Sequence, residues 1–437
     1  MCGIFGMVAG SEFSVKDRLI KGLKRLEYRG YDSCGYATAA GDLKKAVGYI
    51  DNLSAIAAGK AKAAISHTRW ATHGGVTELN AHPHIDPAKN LFVVHNGIIE
   101  NYVQLKKQLT EKGYRFVSET DSEIIPFFID SRLKDGMAME EAMREFINTA
   151  RGTFAVLILE KGAERIYAMK RDSPLVLGLL PDSNVLCSDI HAFSNKSNRA
   201  IFFDDDEYAV VDDKGYRFFD CFGDELEKEV CEFTWTQQEE SDKEQYDHYM
   251  IKEIKEQPLV AERLIKSFST TQKEKLKEFA ALVKGSKRVV FLACGTSYHA
   301  SLVGSFLLTQ LGIKASSVIA SEFEHFLLVD DETLVIPISQ SGETMDVVSV
   351  LKDIKLKKAK VASIVNVPYS TVQRLSDVSL EILAGQEVCV AATKTYTNQL
   401  LTLFALAKEL GNDSIELEGI PKRIAETIKD NESLVKG

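Results

Sequence analysis

MCGIFGMV (Met1–Val8) places a cysteine directly behind the initiating methionine and follows it with an apolar run of strand type. Removing Met1, the step expected before a small second residue, leaves a thiol and a free α-amine on one residue. An α-amine, with an ordinary pKa of about 7.7, serves as general base for the thiol, so nucleophile and base reside together in Cys2. The plain alternative is a buried cysteine, since free cysteine is a common core residue. Further short apolar runs lie downstream at 63–66, 91–94, 153–159, 164–168 and 200–203. Between them the spacing predicts helices over 14–28, from Asn101 to a C-cap at Gly113, behind a capping Asp121, and over 139–150. The first ~235 residues therefore read as sheets covered by helices.

From Gln238 to Lys255 the chain turns polar and charged, and the domain boundary is placed there. Beyond it, strands at 288–292, 333–338, 361–365 and 378–383 alternate with amphipathic helices, the pattern of crossover units on a parallel sheet. The expected layout is a first domain over 2–236, a linker and connecting helix over 237–275, and a second domain over 276–437. Residues 420–437 read as a closing helix.

The 437 residues are 45% hydrophobic and 27% charged, which excludes disorder for most of the chain. A net charge of −10 offers no basic field for nucleic acid. Seven scattered cysteines without a C-x-x-C pair suggest neither a disulfide framework nor a thiolate zinc site. No apolar run approaches ~18 residues and no basic leader precedes Cys2, so neither export nor membrane insertion is expected. Reducing cytosol suits this composition.

Three other stretches bear on Cys2. His95, Asn96 and Gly97 close a strand, where an Asn-Gly pair marks either a hairpin turn or two donors, the Asn96 amide and the Gly97 N–H, aimed at an oxyanion. HTRWATHG (His67–Gly74) sets the Arg69 guanidinium beside small polar donors, suited to forking a carboxylate. Asp121 offers a counter-charge for an ammonium, and together these groups would recognise an α-amino acid. Five of the nine histidines (His67, His73, His82, His84, His95) crowd this region. His82 and His84 share one side of an extended strand, yet no spacing completes a zinc set, and no metal or cofactor is expected.

CGIFG, RLEYRGYDS (Arg25–Ser33), HTRWATHG, HNGIIEN (His95–Asn101) and SETDSE (Ser118–Glu123) together resemble the glutaminase domain of the glutamine–fructose-6-phosphate aminotransferase family, the glucosamine-6-phosphate synthases. The resemblance implies an N-terminal-nucleophile sandwich of two sheets between helix layers. It assigns Cys2 as nucleophile and base, Asn96 and Gly97 as oxyanion hole, and Arg69, Thr72, His73 and Asp121 as glutamine binders. Arg29 and Gly30 would shape the loop closing over glutamine, and Trp70 would gate ammonia.

In the second half, Cys294–Ser297 and Ser339–Thr344 follow strands and open helices, which suits a phosphate or ordinary N-caps. No complete nucleotide loop accompanies them, so a smaller phosphate ester is favoured. LACGTSYHA, SEF (Ser321–Phe323), ISQSGET and VAATKTYTNQ (Val390–Gln399) resemble the first sugar-isomerase module, known as SIS, of the same family. That implies a flavodoxin-like five-stranded parallel sheet with fructose 6-phosphate held by Thr296, Ser297, Ser339, Gln340, Ser341, Thr344 and the backbone of Val390. Ala392 stands where a small hydroxyl residue is frequent. The resemblance further implies a homodimer through the isomerase module.

The family carries a second isomerase module with the Schiff-base lysine, a catalytic glutamate and a ring-opening histidine, whereas this chain ends at Gly437 after one. A truncated chain or one part of a split enzyme is expected, with glutaminase activity, sugar-phosphate binding and little synthase turnover. Lys394 opens a helix after the sugar loop and reads as structural rather than as a substitute imine former. Two rivals are another amidotransferase with an N-terminal cysteine, as in purine synthesis, and a phosphosugar-sensing protein with a vestigial glutaminase. The first needs a phosphoribosyl-pyrophosphate loop with paired acidic residues after a strand, which this sequence does not show, and the ISQSGET loop argues against it.

Overall fold

The computed structural model describes residues 2–233, 245–326 and 329–436. The chain divides into two units, 1–237 and 238–437. In the first, Gly3–Ser14 lies inside an eight-stranded sheet, paired antiparallel with Lys60–Arg69 on one side and Ser183–Cys187 on the other. A seven-stranded sheet is built around Leu91–Ile99, Gly152–Glu160 and Arg165–Arg171.

Strand alternation decides what each sheet buries. Ile4 and Val8, Ala63 and Ile65, Phe92 and Val94, and Leu157 share the core between the sheets. On the opposite face of the seven-stranded sheet, Val156 and Ile158 pack with Leu105, Phe128 and Phe146. These come from helices Tyr102–Glu111, Ile124–Lys134 and Met139–Thr149. Phe5, between Ile4 and Gly6 in the strand, lies against Gly22, where a Cβ would come within 2.4 Å of its ring. The unit is thus a helix–sheet–sheet–helix sandwich.

Three local readings change. The 14–28 helix is broken: Gly3–Ser14 stays extended, Val15–Ile20 forms a wide helical turn, Lys21–Lys24 is α-helical, and Glu27–Arg29 is a 3-10 turn. Its apolar face is nevertheless buried as the spacing requires, through Val15, Leu19, Ile20, Leu23 and Leu26. Asp121 does not cap the helix behind it; its carboxylate accepts the Ile99 backbone N–H at 2.7 Å instead. Asn96-Gly97 is not a turn, because the strand runs through it to Ile99 and Gly97 pairs with Phe154.

The second unit is a five-stranded parallel sheet in the order Ala315–Ile319, Arg288–Ala293, Thr333–Ser339, Lys360–Val365, Val378–Glu381. Strand one lies between strands two and three, which is the flavodoxin-like order, with its switch point between Arg288–Ala293 and Thr333–Ser339. Helix Gly295–Gln310 approaches the sheet closely at Gly304, where a Cβ would meet Leu403 at 2.8 Å and Phe291 at 2.9 Å. The polar connection expected from Gln238 lies, as far as residue 244, outside the described residues. The remainder of the stretch read as linker and connecting helix holds helix Tyr249–Ser269, which places Ala261 and Leu264 in the core of this unit, and helix Lys273–Gly285 adds Leu276 and Phe279. Their apolar spacing makes them a structural layer, not a tether.

Candidate functional site: a cysteine held by three segments

Cys2 immediately precedes the strand Gly3–Ser14 and is half-buried. Its sulfur lies 3.3 Å from the Trp70 backbone N–H, which donates to it, and 3.6 Å from the Trp70 carbonyl. Its own carbonyl accepts from Arg29 Nε at 3.0 Å and Asn96 Nδ2 at 3.1 Å. Behind Arg29 stands Asp189, 3.4 Å from Nη1, which also accepts the Tyr28 hydroxyl at 2.5 Å and His191 Nδ1 at 2.9 Å. Both members of the Arg29–Asp189 pair are buried, and His191 with Arg29 holds the Asp189 carboxyl far below the usual range. Burial pushes the Cys2 thiol up, against the downward pull of the Trp70 N–H and the Arg69 and Arg29 charges. A thiol so placed is protonated at rest and needs a base.

Gly30 lets two backbones meet at this point: a Cβ there would lie 2.6 Å from the Trp70 nitrogen. The Trp70 ring stands edge-on to Tyr31, centroids 5.5 Å apart. Arg29, expected with Gly30 to shape the loop closing over glutamine, is buried with its Nε on the Cys2 carbonyl.

Asn96 reaches the same spot from the other sheet, with Gly97 next to it on the strand. Alternation along Leu91–Ile99 turns Asn96 toward the sandwich interior, with Phe92 and Val94, and His95 toward the helices, where its Nδ1 meets Ser122 Oγ at 2.8 Å. Gly97 has φ 127°, and a Cβ would fall 2.0 Å from the Thr153 carbonyl oxygen. Asp121, buried one strand end away, is charge-coupled to Arg69.

The Arg69 guanidinium is folded onto its own loop, donating to the carbonyls of His73, of Gly74 at 3.3 Å and of Gly75 at 3.1 Å. Of its five N–H groups these use three, leaving two for an incoming carboxylate. Thr72 is exposed, and His73 packs edge-on to Tyr102 at 5.8 Å. Two residues outside the expected set clamp this loop. Glu119 Oε2 accepts the Gly75 N–H at 3.0 Å and the Asn80 amide at 2.9 Å. Their signal was only general: polar residues in SETDSE and beside the histidines.

In the second unit, the two hydroxyl-rich loops lie at the carboxyl ends of the strands flanking the switch point. Ser339 Oγ accepts the Gly342 N–H at 2.9 Å and meets Thr344 Oγ1 at 3.1 Å. Ser297 Oγ accepts from Gln399 Nε2 at 2.9 Å, while Thr296 is exposed. Gln340 and Ser341 are half-buried, Ser341 Oγ accepting the Glu343 N–H at 3.1 Å. Val390 is 72% exposed on a loop braced from below. Glu253 accepts the N–H groups of Val388 and Cys389, and Glu387 those of Thr393 and Thr395. Lys394 is buried against Glu256 at 2.6 Å, an ion pair that ties the loop to helix Tyr249–Ser269.

Residues 67–195 match the family model of a glutamine amidotransferase domain, and residues 282–408 match that of the SIS domain. The chain is 42% identical to glutamine–fructose-6-phosphate aminotransferase (isomerizing) of Thermococcus kodakarensis over 458 residues, spanning 99% of this chain and 75% of that one. The enzyme of the same name from Pyrococcus horikoshii is 40% identical over 445 residues, 98% and 73% of the two chains. That of Sulfolobus acidocaldarius is 37% identical over 446 residues, 100% and 75%.

Proposed function

The chain belongs to the glutamine–fructose-6-phosphate aminotransferase family, and from that premise we propose that it releases the amide nitrogen of glutamine at Cys2 for transfer to fructose 6-phosphate, yielding glutamate and glucosamine 6-phosphate. The observation that carries the reading is the convergence on Cys2 of three separate segments, Arg29 and Asn96 at its carbonyl and Trp70 at its sulfur, around a thiol that burial pushes up. Once Met1 is removed, the Cys2 amine takes the thiol proton and the sulfur attacks the amide carbon. Asn96 Nδ2 and the Gly97 N–H receive the oxyanion. The C–N bond then breaks, the proton goes to the leaving nitrogen, and ammonia departs past Trp70. Water attacks the thioester and frees glutamate. Arg69, Thr72 and His73 take the α-carboxylate side of glutamine and Asp121 its ammonium.

Fructose 6-phosphate is assigned to Thr296, Ser297, Ser339, Gln340, Ser341, Thr344 and the Val390 backbone. Helices Gly295–Gln310 and Met345–Leu356 begin at these loops, so a phosphate held there would meet their N-termini. Lys394 is committed to Glu256 and is not available for a sugar imine, and little synthase turnover is expected of the chain. A homodimer through the isomerase unit is part of the same reading; Leu302 and Phe306, exposed one turn apart on helix Gly295–Gln310, suit it.

Peptide mass spectrometry after treatment with 6-diazo-5-oxo-norleucine, with and without fructose 6-phosphate, tests the proposal. One adduct on a Met-free Cys2, formed faster with the sugar present, is expected. No adduct on a processed N-terminus overturns the glutaminase assignment. Rapid production of glucosamine 6-phosphate by the purified chain overturns the low-turnover one.

A further inference from the structure

A carboxamide is nearly symmetric in shape, so Asn96 serves an oxyanion only if something decides which end faces Cys2. His67 lies on strand Lys60–Arg69, facing the sandwich interior like Ala63 and Ile65, and is fully buried. Its Nε2 is 3.1 Å from the His95 carbonyl oxygen and 3.0 Å from Asn96 Oδ1. A backbone carbonyl only accepts, so Nε2 carries the hydrogen. That hydrogen requires an acceptor at the near end of Asn96, which puts Oδ1 there and Nδ2 on the Cys2 side. The other tautomer would set a bare nitrogen lone pair against two oxygens.

The ring itself is fixed. It stacks on His82 with centroids 4.1 Å apart and 13° between planes, and His82 Nδ1 accepts the His95 backbone N–H at 3.1 Å. Burial, with the nearby Arg69 and His95, pushes His67 down to about 3, so it stays neutral at working pH. The Nδ1 atom is buried and finds no hydrogen-bond partner among the described residues. Nε2 is therefore the atom through which this ring acts.

We propose that His67 is a positioning residue of the glutaminase: its Nε2–H locks the Asn96 carboxamide with the amide donor toward the reacting carbon. The inference rests on Asn96 serving the oxyanion and adds what makes it do so. Without the lock, only the Cys2 carbonyl, which accepts from Nδ2 at 3.1 Å, still orients the carboxamide, and the amide donor is held less firmly toward the developing negative charge.

The test is a double-mutant cycle on the Met-processed chain with wild type, His67→Phe, Asn96→Ala and the double variant. Glutamine hydrolysis is measured together with inhibition by glutamate γ-semialdehyde, whose thiohemiacetal carries the oxyanion, and by glutamate, which does not. His67→Phe and Asn96→Ala are each expected to lower kcat by about 10²-fold, with KM changed by less than about threefold. Both weaken the aldehyde but not glutamate, and the double variant is no slower than Asn96→Ala. A wild-type kcat in His67→Phe overturns the inference, as does a double variant slowed by the product of the two single effects. A wild-type rate in Asn96→Ala overturns the oxyanion reading and the inference with it. If His67→Phe does not fold, His67→Gln keeps a donor and should hold kcat within about tenfold; a folded His67→Gln as slow as Asn96→Ala overturns the proposal.

Discussion

Gly97 shows how much one residue carries. Its φ of 127° and the Thr153 oxygen 2.0 Å from any added Cβ leave no room for alanine. Gly97→Ala is expected to lower glutaminase kcat by at least about 10²-fold and stability by about 1–3 kcal/mol, read from steady-state rates and urea unfolding; a folded variant with wild-type kcat would remove Gly97 from the oxyanion hole. Asp189 works at one remove, as the buried counter-charge of Arg29. Asp189→Asn leaves that guanidinium without its carboxylate and should cost about 3 kcal/mol, with slower alkylation of Cys2 by iodoacetamide. Unchanged urea midpoint and alkylation rate would sink this role. The position of Cys2 behind Met1 was legible from the sequence. Asp189 was not, because its partner is 160 residues away and nothing local marks the pairing.

At the scale of elements, the loop Ser339–Thr344 depends on Gly342 for its shape. Gly342 has φ 64°, and a Cβ would come within 1.9 Å of Ser370 Oγ. Gly342→Ala should therefore abolish fructose 6-phosphate binding in calorimetry, with partial recovery in Gly342→Ala combined with Ser370→Gly, which relieves the clash but not the dihedral strain. Full affinity in the single variant would exclude this loop from the sugar site. Strand periodicities at 288–292 and 333–338 placed both hydroxyl loops at strand ends. The Asn96-Gly97 pair misleads because its turn signal is local, whereas pairing with Gly152–Glu160 continues the strand through it. Likewise Asp121 carries a capping signal, yet Ile99 supplies a nearer backbone donor than the helix behind it.

Across the first unit, His67, His82, His84 and His95 are all buried and pushed down by that burial, His67 to about 3. The unfolded chain takes up protons below about pH 6.5 that the folded unit refuses. Stability is therefore full above that pH and falls below it, by up to about 1.4 kcal/mol per pH unit for each histidine that stays neutral in the folded unit, His67 doing so down to about pH 3. Urea midpoints should drop between pH 6.5 and 5, and His84→Gln should flatten the fall by about one such increment; an identical slope would show that His84 titrates alike in both states. Among the described residues no helix is long and apolar enough to cross a membrane. What the sequence by itself determined is whatever depends on covalent neighbours and period: the nucleophile at position 2, the alternating strands, the hydroxyl loops and the family motifs. Only the tertiary structure decided the tautomer of His67, the face of Asn96, the folding of Arg69 onto its own loop and the pairing of Lys394 with Glu256. Each of these is settled by which donor meets which acceptor across strands or helices distant in sequence, and burial makes an unmatched pairing too costly to persist.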